Sequence, residues 1–105
     1  MSVKYLGKCE YICLSYCKLL SDNGIKYLGK CQGLNLSDCE LITDEGIKYL
    51  GNCKTIDLWG CSLITDRGVK YLEKCDYIDI SLCDKITVPY LEHLQNIGFS
   101  YRYEI

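Results

Sequence analysis

Nine cysteines in 105 residues are the first side chains here able to do chemistry. Two series recur at a spacing of 22, Cys9, Cys31, Cys53 and Cys75, then Cys17, Cys39, Cys61 and Cys83. Zinc wants clustered thiolates such as a C-x-x-C pair, and the sequence contains none. If equivalent residues stack on neighbouring coils about 4.8 Å apart, disulfides or a metal are conceivable by distance. Free cysteine is also a small core hydrophobe that is most often buried, so a core role is expected, with no metal and no cofactor. The ninth, Cys13, lies between Ile12 and Leu14 and should point to solvent. A reactive thiol needs a neighbour that lowers its pKa, and no basic residue or histidine shares its strand, so it reads as an incidental surface cysteine.

Other candidates for catalysis are few. The lone His93 falls where Val88-Pro89-Tyr90 replaces an Asp-x-Gly found earlier in the chain, and no nucleophile accompanies it in a known arrangement. Asp57 and Asp79 are 22 apart, so stacked strands would bring their carboxylates near enough to share a proton or a cation. Calcium needs six or more oxygens, and a solvated acidic patch is the simpler outcome. The expectation is a protein that is not an enzyme. A net charge of -2 lacks the basic excess that nucleic-acid binding draws on. No apolar run is long enough to span a bilayer, and Met1-Ser2-Val3-Lys4-Tyr5 holds no apolar signal core. Neither nucleic acid nor membrane is expected as a partner, and the expected location is cytoplasmic.

All these residues are placed by one repeat. From Lys4 the chain reads as blocks of 22 without a shift of register, a period that marks leucine-rich repeats. Leu34 and Leu36, matched by Ile12 and Leu14, Ile56 and Leu58, Ile78 and Ile80, alternate as short strands with one buried face. Thr43-Asp44 can cap a helix start, and Ile47 and Leu50 share a helical face. Parallel strands joined by such crossovers build a right-handed solenoid. The predicted fold is therefore α/β, with a parallel β-sheet on the concave face and short helices on the convex face. One domain is expected over 1–105, with a half-repeat 1–8, repeats 9–30, 31–52, 53–74 and 75–96, and a C-terminal strand 97–105.

The pattern L-x-L-x-x-C-x-x-I-T-D-x-G-I, at Leu34 to Ile47 and with Val69 closing it at Ile56 to Val69, resembles the cysteine-containing leucine-rich repeats best known from F-box substrate receptors. Those repeats run about four residues longer, and here a cysteine stands where the first strand leucine would be. The compact version with its Lys-Tyr-Leu-Gly column is similar to repeat families of giant viruses and some amoebae, which implies a host cytoplasm if the chain is viral. The resemblance implies a protein-binding function, of the substrate-recognition type but without an F-box.

Solenoids bind partners on outward strand positions. Here these are Tyr11, Cys13 and Ser15, then Gly33, Asn35 and Ser37, then Thr55, Asp57 and Trp59, then Tyr77, Asp79 and Ser81. Tyr11, Cys13, Asn35, Asp57, Trp59, Tyr77 and Asp79 are the expected partner-binding set. Trp59 interrupts a serine column, either as a hot spot or as cover for its neighbours. Lys4, Lys26, Lys48 and Lys70 with Tyr5, Tyr27, Tyr49 and Tyr71 form a ladder on the helical side, most simply structural. The N-terminal end offers only Val3 to Lys8 as cover. At the other end, Ile97 to Ile105 alternates aromatic and polar residues as a fifth strand. Two outcomes are open there. Phe99, Tyr101, Tyr103 and Ile105, or the concave face, pair with a second copy in a homodimer, or the strand caps its own last coil with Arg102 and Glu104 facing water. A self-assembling structural protein is accordingly the alternative to a module that binds a separate partner.

Overall fold

The computed structural model describes residues 10–105. The half-repeat 1–8, with Val3, Lys4, Tyr5 and Leu6, and Cys9 lie outside the described residues. The elements run β1 (Tyr11–Cys13), α1 (Asp22–Ile25), β2 (Gly33–Asn35), α2 (Asp44–Ile47), β3 (Thr55–Asp57), α3 (Asp66–Lys70), β4 (Tyr77–Asp79), α4 (Val88–Asn96) and β5 (Tyr101–Arg102). A 3-10 turn at Lys26–Leu28 continues α1, and another at Lys48–Leu50 continues α2. The strands form one open parallel sheet in sequence order. The register is Ile12 to Leu34 to Ile56 to Ile78, the 22-residue repeat made spatial, and then Tyr101 after a step of 23 residues. This is the α/β solenoid the period predicts.

One coil shows how the sequence builds the core. Leu34 and Leu36 point inward from the strand, Cys39 and Ile42 from the turn after it, Ile47 and Leu50 from the helical segment, and Cys53 opens the next coil. All seven are buried. They cannot form a closed core alone, so each layer is completed by its neighbours, as in other repeat arrays.

Polar residues fix how the coils stack. The Thr43 hydroxyl accepts from the Glu45 N–H and so caps α2, while the same residue also donates to the coil before it. Its N–H and Oγ1 reach Asp22 Oδ1 and Oδ2 at 2.9 and 2.6 Å. Thr65 meets Asp44 in the same way, and Thr87 meets Asp66. Gly46 and Gly68 make room for this ladder: a Cβ there would stand 2.3 Å from Asp22 Oδ1 and 2.2 Å from Asp44 Oδ1. The buried thiols also bridge coils, with Sγ of Cys39, Cys61 and Cys83 donating to the carbonyls of Leu14, Leu36 and Leu58. These cysteines are core residues with a hydrogen-bonding task, and those among the described residues are free thiols, with Cys17 only half-buried.

The chain turns out of each strand through one left-handed residue. Tyr16, Asp38 and Leu82 have φ of 61°, 57° and 60°, and Gly60 has 75°. Each of the four donates its N–H to the next coil, to Ser37, Trp59, Glu104 and Ser81 respectively. This bend explains a correction to the expected outward columns. Ser37 and Ser81, placed on the solvent face by simple alternation, are buried because the strands end after three residues.

The last coil departs from the others. Val88 stands in the ladder's aspartate position and Tyr90 in its glycine position, so no carboxylate is presented beyond Asp66. Helix α4 is longer than its counterparts, at nine residues. Its Tyr90 hydroxyl donates to Glu73, and His93 Nε2 lies 3.4 Å from the same carboxylate. Strand β5 then pairs with β4 of its own chain. Phe99, Tyr101 and Tyr103 pack on the core, Glu104 N–H donates to Ser81 Oγ, and Arg102 and Glu104 pair with each other in solvent. Ile105 is fully exposed.

Candidate functional site

The solvent face of the sheet carries three columns. In the first, Tyr11 and Tyr77 are exposed, and Gly33 and Thr55 lie between them in register. The ring of Tyr11 lies down over Gly33, where an added Cβ would come within 2.8 Å of it and 2.9 Å of Thr55 Oγ1. A shallow cleft of about 180 Å³ results, lined by Tyr11, Thr55, Asp57, Tyr77 and Asp79, with Leu34 and Ile56 beneath.

The second column is Cys13, Asn35, Asp57 and Asp79. Its three Asx members share one task that alternation alone does not reveal. Oδ1 of Asn35, Asp57 and Asp79 accepts from the N–H two residues on, of Ser37, Trp59 and Ser81, at 3.0, 2.9 and 2.9 Å. Asx side chains bond local backbone in this way at turns, and here the bond steers the chain out of each strand into its left-handed residue. Burial pushes the Asp57 carboxyl above its ordinary value, against the opposing pull of the Trp59 N–H, with Asp79 adding to the rise and Arg102 opposing it. Asp57 and Asp79 therefore have a structural function beside any contact with a partner. Among the described residues, no three histidine, cysteine or acidic side chains are grouped to hold a metal ion.

Cys13 takes the column's exposed first place. Its Sγ lies 3.3 Å from Ser15 Oγ, and that hydrogen bond lowers the thiol from its ordinary range. The neighbour that lowers it is thus a hydroxyl two residues on in the sequence and not a basic residue. At the third position of its coil Trp59 is half-buried, in the turn after β3, where the equivalent Ser37 and Ser81 are buried. Tyr11, Cys13, Asn35, Asp57, Trp59, Tyr77 and Asp79 thus lie on one face. Phe99, Tyr101 and Tyr103 are partly buried against the core of the last coil, and Ile105 is exposed.

Residues 33–51, one strand with its helical turn, match the family model described as Leucine Rich repeat. A comparison with the curated proteins finds no match. Repeats of this family are typically non-enzymatic and generally mediate protein–protein interaction. Together with five parallel strands alternating with short helices, the match supports placing this chain among the leucine-rich-repeat proteins.

Proposed function

We propose that the protein binds another protein on the solvent face of its sheet, which we take as the concave face of the solenoid, with Tyr11 and Tyr77 as the principal contacts. The observation that carries this reading is the division of labour on that face. The Asx column is engaged by backbone, whereas the two tyrosines are exposed and line a cleft of the face. Exposed aromatic side chains beside a cleft have the composition of interface hot spots. Cys13 and the half-buried Trp59 extend the same surface. Wild-type protein and a Tyr11→Ser/Tyr77→Ser variant, matched for folding by circular dichroism, are used as bait. A protein retained by the wild type alone, then binding the purified variant at least about tenfold more weakly, supports the reading. Equal retention overturns it.

A second reading, a homodimer through the C-terminal edge, is favoured by one observation. Strand β5 is at the edge of the sheet, so among the described residues one side of its backbone has no strand beside it, and Ile105 next to it is exposed. Such an edge templates pairing with another chain. Light scattering over a range of concentrations should then give a dimer that Tyr103→Pro abolishes. A monomer throughout rejects it.

A further inference from the structure

A second surface lies on the helical side, away from the cleft of the sheet. Tyr27, Tyr49 and Tyr71 are exposed there, in line with Lys26, Lys48 and Lys70, and Lys30 and Lys74 stand a turn further on. The coils approach closely at this level, because Gly29 and Gly51 lie under the next coil's tyrosine carbonyl, where a Cβ would be 2.5 Å from Tyr49 O and 2.9 Å from Tyr71 O. Between the second and third coils a groove of about 510 Å³ opens, lined by Lys48, Tyr49, Asn52, Lys70, Tyr71 and Lys74.

The carboxylates of this flank are already engaged. Glu45 holds Lys48 at 3.0 Å and Arg67 at 2.9 Å, and these cations keep its carboxyl below the ordinary range. Glu73, which also borders the groove, is turned to Tyr90 and His93. Lys26, Lys30, Lys70 and Lys74 make no ion pair among the described residues. A chain of net charge -2 therefore segregates its charge and leaves one basic, tyrosine-lined strip.

We propose that this lysine–tyrosine groove is a docking site for an acidic peptide segment of a partner protein, whose carboxylates meet Lys70 and Lys74 while its apolar side chains lie on Tyr71. The charges are complementary, and apolar contact beside charge is what tyrosine at an interface supplies. A nucleic acid fits less well. Lys26 and Lys48 sit 5.3 and 5.4 Å from the ring centres of Tyr27 and Tyr49, which occupies ring faces that bases would need for stacking. Beyond the strip, the acidic remainder of the molecule repels an extended polyanion.

The probe is a short fluorescein-labelled peptide of glutamate and leucine, titrated by anisotropy at low salt, beside single-stranded oligothymidine of the same length. The expected result is peptide binding that weakens about fivefold or more in Lys70→Gln/Lys74→Gln, with Tyr77→Ser on the sheet face leaving it unchanged. Lys18→Gln/Lys85→Gln removes the same charge from exposed loops and should leave affinity within about twofold. Circular dichroism checks that each variant is folded, and Lys70→Arg/Lys74→Arg, which keeps the charge, should retain binding. Absent peptide binding, or an equal loss from both lysine pairs, overturns the site. Tighter binding of oligothymidine through Lys70 and Lys74 overturns the assignment of the partner as a protein.

Discussion

The middle coils and the last coil are built on the same hydrophobic frame but differ in their polar residues. In the coil that holds Asp44, the carboxylate receives both hydrogen bonds of Thr65 and is itself nearly buried, and Gly68 gives it space. In the last coil Val88 and Tyr90 occupy the equivalent places, and the tyrosine turns to Glu73. The Asp-x-Gly of this repeat is thus the chemistry of stacking one coil on the next, and it gives way where a capping strand follows. Leu94 is as buried as Leu50 and Leu72, whereas Leu91 is only half-buried where Ile25, Ile47 and Val69 are fully enclosed, so the apolar frame keeps its pattern in the last coil but loosens there.

The contrast is broken most severely by filling the space in a middle coil. Gly68→Ala places a Cβ 2.2 Å from Asp44 Oδ1 and 3.2 Å from Ile64 Cγ2, and should cost about 3 kcal/mol in urea denaturation, through overpacking and loss of the Thr65 bonds. Removing the acceptor is next. Asp44→Ala should cost about 2 kcal/mol, because it strands a donor beside a buried site. Asp66→Ala should cost about half that, since its bonds to Thr87 are exposed and water can replace them. Equal costs for the two would remove the distinction between inner and terminal coils. Tyr16→Gly acts in the other direction: the side chain is exposed and φ is 61°, so relief of left-handed strain should raise stability by up to about 1 kcal/mol.

Alkaline pH sharpens the comparison through the thiols. Burial pushes Cys75, at the start of the last coil, up to about 11, and Cys53, one coil inward, up to about 12. A thiol whose folded pKa exceeds its unfolded value stabilises fully below the unfolded value and loses that contribution as pH rises through the folded one. Stability should accordingly decline from about pH 9 upward. In timed alkylation, exposed Cys13 should react first and Cys75 before Cys53; simultaneous reaction of the buried pair would argue for global opening.

The repeat made the fold legible in the sequence. A 22-residue register with Leu34, Leu36, Ile47 and Leu50 recurring in every block sets strand, helical turn and core, because burial of apolar residues leaves a local pattern. The polar columns were visible too, but their partners were not. Asp22 bonds a threonine 21 residues away, and nothing local says which atom it meets, although glycine at 46 and 68 hints at a close approach. The left-handed column leaves no mark in the sequence because Tyr16, Asp38 and Leu82 are not glycine. On the sheet face, the exposed tyrosines were placed by alternation, whereas the turn after each strand moved Ser37 and Ser81 inward. The Asx bonds of Asp57 and Asp79 could not be told from a solvated acidic pair without the backbone that receives them.

The Asx column of the sheet face shapes the coils, and Tyr11 and Tyr77 beside it are left exposed. Urea denaturation of Asp57→Asn and Asp57→Ala at neutral pH tests that shaping role most directly. Asn35 makes the same bond one coil away, and burial already disfavours the Asp57 charge, so Asp57→Asn should match or exceed the wild type. Asp57→Ala should lose about 1 to 2 kcal/mol. If alanine and asparagine are equally stable, the side-chain oxygen is not holding the turn, and the separation between shaping and binding residues on this face is wrong.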